Sequence, residues 1–408
     1  MSTSTAPPGD RPVPTSRDEL AAYVRGYVDN LRSGELGALP IILGLVVIAI
    51  IFQSLNSNFL TDRNLVNLVV QMAGITTIAI GVVFVLLLGE IDLSISYTSA
   101  VSAVLMTELL LDSWPWWAAM GAGLLAAAVI GLAIGIFVTQ LGVPSFVVTL
   151  AAFLGLNGVV LLIIGQGGTV IIQDEVILGI ANKFLDDVWS WIIAFGLVAA
   201  WAVTKAMTLV RRRRQGLGHQ PPLVLGLQLV GLIVVALVAI SIFNGDRGMP
   251  VVGLIVAGLL IFFTWVASRT QFGRHVYAVG GNEEAARRAG INVTSIKIKV
   301  FMISSALAGM GGIILASRLR SVDTAAGGGS LLLLSIAAAV IGGTSLFGGR
   351  GRVVHALYGA LVIVGVENGM GLLGLSAGVR FVVTALVLLA AVVVDALSRR
   401  GRRQAGRA

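Results

Sequence analysis

The chain has 408 residues, 57% of them apolar and only 12% charged, with a mean hydropathy of +0.95; no single water-soluble core could hide that much apolar surface, so the composition defines an all-α polytopic membrane protein. Cysteine is absent, which excludes disulfides, thiolate metal sites and a cysteine nucleophile. The net charge of +8 comes from arginines gathered between and beyond the apolar runs, a topology signal and not a nucleic-acid footprint.

Residues 1–37 carry Pro7, Pro8, Pro12 and Pro14 and no apolar signal core, so no cleavable signal is expected. Ser16 and Glu19 form a capping-box pattern ahead of Leu20, Tyr23, Val24, Tyr27, Val28 and Leu31. Their helical spacing predicts an amphipathic helix lying on the lipid surface. Twelve apolar runs follow, at 38–55, 65–88, 93–111, 117–139, 143–165, 189–209, 222–243, 250–267, 298–317, 331–347, 353–371 and 379–397, each long enough to be a candidate span. Gly and polar residues interrupt 65–111 and 331–347, so broken or re-entrant segments are expected there and about 10–12 true crossings in all. An N-terminus placed inside puts twenty-two of the twenty-eight Lys and Arg on the inner side, against six outside: Arg63, Lys183, Arg247, Arg318, Arg320 and Arg380. The asymmetry predicts a multi-pass membrane protein with the polar island at 273–292, both termini and the basic tail at 398–408 in the cytoplasm.

Between the second and third runs, Gly89-Glu90-Ile91-Asp92-Leu93-Ser94 sets two carboxylates among apolar stretches, where an ionised group at mid-bilayer would cost about 2.5–3.5 kcal/mol. This run is either a turn at the cytoplasmic surface or a broken helix bordering a watery cavity, the second being preferred. Residues 166–188 form the longest external loop, with Asp174, Glu175, Asp186 and Asp187 against Lys183, a docking surface for a partner arriving from outside. Asn67, Gln71, Asn157, Gln166, Glu367 and Asn368 are further polar side chains in or near spans, able to bond a hydroxyl-rich solute or simply a neighbouring helix.

The loop at 268–297 holds a polar island, Gly273 to Asn292. Within it Asn282 can cap a short helix, with Glu283 and Glu284 at its positive end, Arg287 and Arg288 at its negative end and Gly290 at its exit. Glu283–Arg287 and Glu284–Arg288 are i,i+4 pairs worth about 0.2–0.5 kcal/mol each, and Ala285, Ala286 and Ala289 leave a small smooth face. Two turns are marginal alone. The segment is therefore expected to dock on a partner, the alternative being an ordinary solvated loop helix.

No motif supports catalysis. None of Lys183, Lys205, Lys297 and Lys299 follows a glycine, so there is no phosphate loop, and His219, His275 and His355 are too scattered for a metal site.

Arg269 to Ile291 resembles the cytoplasmic loop of ribose- and xylose-type sugar ABC permeases, and Ser335 to Gly351 (SIAAAVIGGTSLFGGRG) and Gly89 to Ser94 (GEIDLS) are similar to two other signatures of that family, in the expected order. The resemblance covers about 40 to 397. It implies a permease subunit paired with a second copy, ATP-binding cassette subunits below that carry the ATP and Mg, and an extracytoplasmic sugar-binding protein above. No cofactor is then expected on this chain, and Asn282 to Gly290 become the helix that couples it to the cassette. Residues 189–243, with Arg211 to Arg214, look like an additional hairpin of the longer xylose-type permeases, which makes the implied solute a pentose. Ser330 to Leu334 departs from the acidic, more polar run that family members often show. The rival class is an ion-coupled twelve-span secondary transporter, for which only Glu90, Asp92 and Glu367 could serve as embedded acids; a membrane receptor or scaffold would need a soluble domain that the chain lacks.

Overall fold

The computed structural model describes residues 39–165, 168–215 and 221–404. The expected surface helix within 1–37, Gln166 and residues 405–408 of the basic tail lie outside them.

Each of the twelve apolar runs holds a helix, and the interruption expected in 331–347 is seen, its helix ending at Ile341. The chain opens with α1 (Leu39–Leu55), α2 (Asp62–Leu87), α3 (Ile95–Leu111), α4 (Trp116–Gln140) and α5 (Ser145–Ile164). A short strand β1 (Thr169–Ile171), α6 (Glu175–Asn182) and β2 (Phe184–Leu185) lead into α7 (Asp187–Arg214) and α8 (Pro222–Asn244). Then come β3 (Met249–Pro250), α9 (Val251–Arg269), the island helices α10 (Gln271–Gly281) and α11 (Glu283–Arg288), and α12 (Val293–Leu319). The chain closes with β4 (Ser321–Asp323), α13 (Leu331–Ile341), α14 (His355–Leu372) and α15 (Ala377–Gln404). Pro115, Pro144, Pro221 and Pro250 each stand immediately before a helix, where a fixed φ and a missing N–H cost nothing. Among the described residues seven helices, α2, α4, α5, α7, α8, α9 and α12, are long and apolar enough to cross a bilayer.

Packing centres on α12, which lies against α2, α3 and α4. Small residues allow the approach: a Cβ at Gly131 would strike the Phe301 carbonyl and the Ser305 side chain, and one at Gly312 the Ser99 carbonyl. Phe84, Phe301, Ile78 and Ile313 are fully buried around this seam. Close contact of this kind drives helix association where lipid removes the hydrophobic difference between inside and out.

Two groups of loops mark the two ends of the bundle. The island end gathers 88–94, 141–144, 270–292 and 342–354, tied by Gly349 N–H to the Leu87 carbonyl (2.9 Å) and Ile91 N–H to Ser145 Oγ (3.3 Å). The far end gathers 56–61, 245–250 and 373–376, with Asn56 Nδ2 donating to the Leu372 carbonyl (3.0 Å) and β1 paired antiparallel to β4, Thr169 opposite Asp323. Helix α13 has eleven residues, a rise of about 16 Å, half of the ~30 Å hydrocarbon core. The missing depth is covered by the stretch before it. After β4 the chain turns inward, and Gly327, at φ 77°, lies against Ser96, Tyr97 and Ala100 in the first turns of α3.

The α7–α8 hairpin is peripheral. Helix α7 packs chiefly on α8, and α8 in turn on α2. The hairpin's base at the far end is closed by the β2–β3 pair, Phe184 opposite Pro250 and Leu185 opposite Met249.

Candidate functional site

At the island end the local chemistry works as its residues dictate. Asn282 Oδ1 accepts from Ala285 N–H at 2.9 Å, and Gly290 leaves α11 at φ 82°, the left-handed exit that glycine adopts freely. Glu283 holds Arg287 at 3.0 Å, while no ion pair forms between Glu284 and Arg288. Glu284, Ala285, Arg287, Arg288 and Ala289 are exposed and Ala286 is buried, so α11 presents one charged and small face outward. The island also contains a second helix, α10, capped by Thr270 Oγ1 accepting from Gly273 N–H at 3.1 Å. Its apolar residues Phe272, Val276 and Val279 recur at helical spacing and pack into the core, and Tyr277 donates to the Gly351 carbonyl at 2.8 Å.

Lys297, in the second turn of α12, links these parts. Its Nζ lies 2.8 Å from Glu90 Oε1 and 2.8 Å from Glu283 Oε2. One ammonium thus ties the exposed helix α11, the break between α2 and α3, and the base of the central helix. The hydrogen bond from Lys297 is the main cause holding the Glu283 carboxyl below its ordinary range. Beside it a cavity of about 330 Å³ is bordered by Glu90, Ser145, Glu283, Arg287 and Lys297. Asp92 is buried; Ser94 donates to its Oδ1 through N–H (2.9 Å) and Oγ–H (2.6 Å), its Oδ2 has no partner, and burial pushes its carboxyl up from 3.8 to about 6.

The three motif segments converge here. A Cβ at Gly280 would land on the Leu87 carbonyl, and Gly348 lies against the Gly280 carbonyl and the backbone of Gly89. Backbone approach this close is open only to glycine, so GEIDLS, the island and the SIAAAVIGGTSLFGGRG segment meet at one knot.

A second polar site lies at the far end. A cavity of about 460 Å³ between α2, α12, α14 and α15 is lined by Asn64, Gln71, Arg318, Glu367, Asn368 and Arg380 among others. Asn64 and Asn368 exchange side-chain hydrogen bonds at 2.8 and 3.1 Å, and Asn368 Nδ2 also donates to Gln71 Oε1 at 3.3 Å. Arg380 Nε donates to the Leu375 carbonyl at 2.9 Å. Amides, a carboxylate and two guanidinium groups on one wall provide both donors and acceptors, which is the chemistry that hydroxyl groups require.

The polar residues singled out from the sequence therefore separate. Gln71, Glu367 and Asn368 come together at the far-end cavity, whereas Glu90, Asp92 and Ser94 sit at the island end. Asn157, half-buried on α5, lines none of the described cavities. Lys297, Asn64, Arg318 and Arg380 were not anticipated as site residues. For Lys297 the only signal is a pair of lysines, Lys297 and Lys299, at the mouth of an apolar run, and Arg318 and Arg380 read from the sequence only as charges marking sidedness.

Apolar helices long enough to cross a bilayer around a polar cavity, with a short charged helix exposed at the other end, are the plan of a multi-pass membrane permease. The chain belongs to the permease family described as "Branched-chain amino acid transport system / permease component", whose profile matches residues 64–392. It is 36% identical over 396 residues to the xylose transport system permease protein XylH of Escherichia coli (strain K12), covering 94% of this chain and 98% of that protein. It is 33% identical to the XylH of Haemophilus influenzae, over 91% of this chain and 99% of the relative, and 31% identical to the ribose import permease protein RbsC of Bacillus subtilis, over 89% and 94%. The resemblance to ribose- and xylose-type permeases drawn from the three motifs is borne out, and these relatives favour that class over the ion-coupled transporter. No solved structure matches the chain.

Proposed function

We propose that this chain is the membrane-spanning subunit of an ATP-binding cassette importer that carries a monosaccharide, a pentose such as xylose, into the cytoplasm of a bacterium. The island end faces the cytoplasm, with both termini, in the plasma membrane. The far-end cavity receives sugar released by an extracytoplasmic binding protein. Two copies of the chain stand side by side, and ATP and Mg are bound and turned over on the partner cassette subunit, not here.

The observation that carries this reading is the sharing of Lys297 between Glu283 on the exposed helix α11 and Glu90 at the end of α2. A cassette that grips α11 differently in its ATP-bound and released states pulls, through that ammonium and the glycine knot, on α2, α3 and α12 together. Only such a difference in grip can shift the inward–outward equilibrium. The pentose assignment rests on the xylose-transport relatives.

The test is uptake of labelled sugars into proteoliposomes, with and without the cassette subunit. ATP-dependent pentose uptake is expected, and the double variant Glu284→Ala, Gly290→Ala should hydrolyse ATP without moving sugar. Undiminished uptake driven by an ion gradient, with no cassette present, would refute the reading.

A further inference from the structure

The α7–α8 hairpin ends in a loop whose Arg247 reaches back over the bundle. Its Nε donates to Asp246 Oδ2 at 2.9 Å and its Nη2 to Asn67 Oδ1 at 2.6 Å, and the guanidinium lies 4.3 Å over the Phe184 ring. Phe184 and Arg247 thus meet because β2 and β3 bring the two ends of the hairpin together. A guanidinium carries five N–H donors, and two of Arg247's are engaged. The other three are held in a fixed plane by the aromatic face and the two bonds, a preorganised donor set.

That donor set lines a chamber of about 160 Å³ with Asn67, Gln71, Asn182, Phe184 and Arg318. Asn67, Gln71 and Arg318 also border the larger far-end cavity, so the two spaces share a wall. Arg318 is half-buried and makes no hydrogen bond or ion pair within 4 Å among the described residues. Two guanidinium groups with uncommitted donors, alternating with amides that both donate and accept, face one small space.

We propose that this chamber is a second sugar subsite, built by the hairpin: Arg247, steadied by Phe184, Asp246 and Asn67, donates to hydroxyl oxygens of a monosaccharide passing from the binding protein into the main cavity. The inference rests on the importer reading and assigns the hairpin a part in it. The amides of Asn67, Gln71 and Asn182 on the chamber wall both donate and accept, as the hydroxyls of a neutral polyol require.

The test uses the full assembly in proteoliposomes, titrating xylose-loaded binding protein. Arg247→Ala is expected to lower the uptake rate at saturating binding protein about tenfold, the usual loss for a charged hydrogen bond. The half-saturating concentration of binding protein should stay within twofold. Arg247→Lys, keeping charge without the planar fork, should fall between, and Phe184→Leu, keeping bulk without the ring, should lose about threefold. An unchanged saturated rate in Arg247→Ala overturns the proposal. So does a half-saturation point that shifts by the same factor as the rate, since Arg247 would then be a docking contact. A wild-type assembly that moves no sugar on ATP would sink the importer reading with it, a result separable from either of the others.

Discussion

Replacing Lys297 with Met removes the ammonium while keeping the stem, and the structure sets what should follow. The two bonds are equally short, 2.8 Å, but their surroundings differ: Lys297 is 13% exposed, Glu90 17% and Glu283 41%. The Glu90 pair is mostly desolvated, so its charge-assisted bond should contribute about 2 kcal/mol. The Glu283 pair is open to water and should fall in the surface range, about 0.5–1 kcal/mol. Lys297→Met is therefore expected to destabilise by about 3 kcal/mol, part of it the penalty of leaving Glu90 unpaired. Double-mutant cycles with Glu90→Gln and Glu283→Gln, read from reversible SDS unfolding in mixed micelles, would separate the two. The Glu283 coupling should also vanish in acid: its folded pKa is depressed, so the stabilisation is present above the ordinary 4.5 and is lost as pH falls through the lowered value. A coupling to Glu90 below about 0.5 kcal/mol, or no larger than that to Glu283, would refute the argument that burial makes Lys297 the tie between α11 and the bundle.

Asp92 titrates the opposite way: its folded pKa of about 6 lies above the ordinary 3.8, so its burial is least costly in acid and costs about 3 kcal/mol once pH rises past 6. Asp92→Asn should raise the midpoint of thermal unfolding at pH 7.5 and change it little at pH 4. Gly280→Ala should cost about 2–3 kcal/mol or block assembly, because its Cβ has only the Leu87 carbonyl to occupy, while Gly281→Ala, with open space around it, should be silent in the same expression and melting assay. Asn368→Leu should cost about 1–3 kcal/mol by stranding the Asn64 side-chain oxygen, whose Nδ2 keeps its bond to the Phe59 carbonyl, and should lower sugar uptake at saturating binding protein without altering ATP hydrolysis.

Much of the scaffold was legible in one dimension because lipid imposes long apolar runs, and each of the twelve contains a helix. The cap and exit of α11 were equally readable, since Asn282 and Gly290 act within four residues of their targets. Helix α10 was overlooked because its apolar stripe, Phe272, Val276 and Val279, is diluted by glycines and charges. The inward turn at 324–330 carries no periodicity and owes its path to contact with α3. Longer-range placement left no mark at all: Asn64 finds Asn368 across 304 residues, and Gly280 finds Leu87 only once α2 and α10 are packed. The convergence of three separate motifs on one knot was therefore invisible to spacing, although each had been picked out alone.

The two-residue β2–β3 pairing brings the chain back almost to where it left, at the same end of the bundle. Excising residues 186–248 and joining the cut ends with a short linker would remove an even number of crossings, so parity is kept and every later segment stays on its own side. A shortened chain of that kind should still insert and assemble, minus the guanidinium that the excised loop supplied.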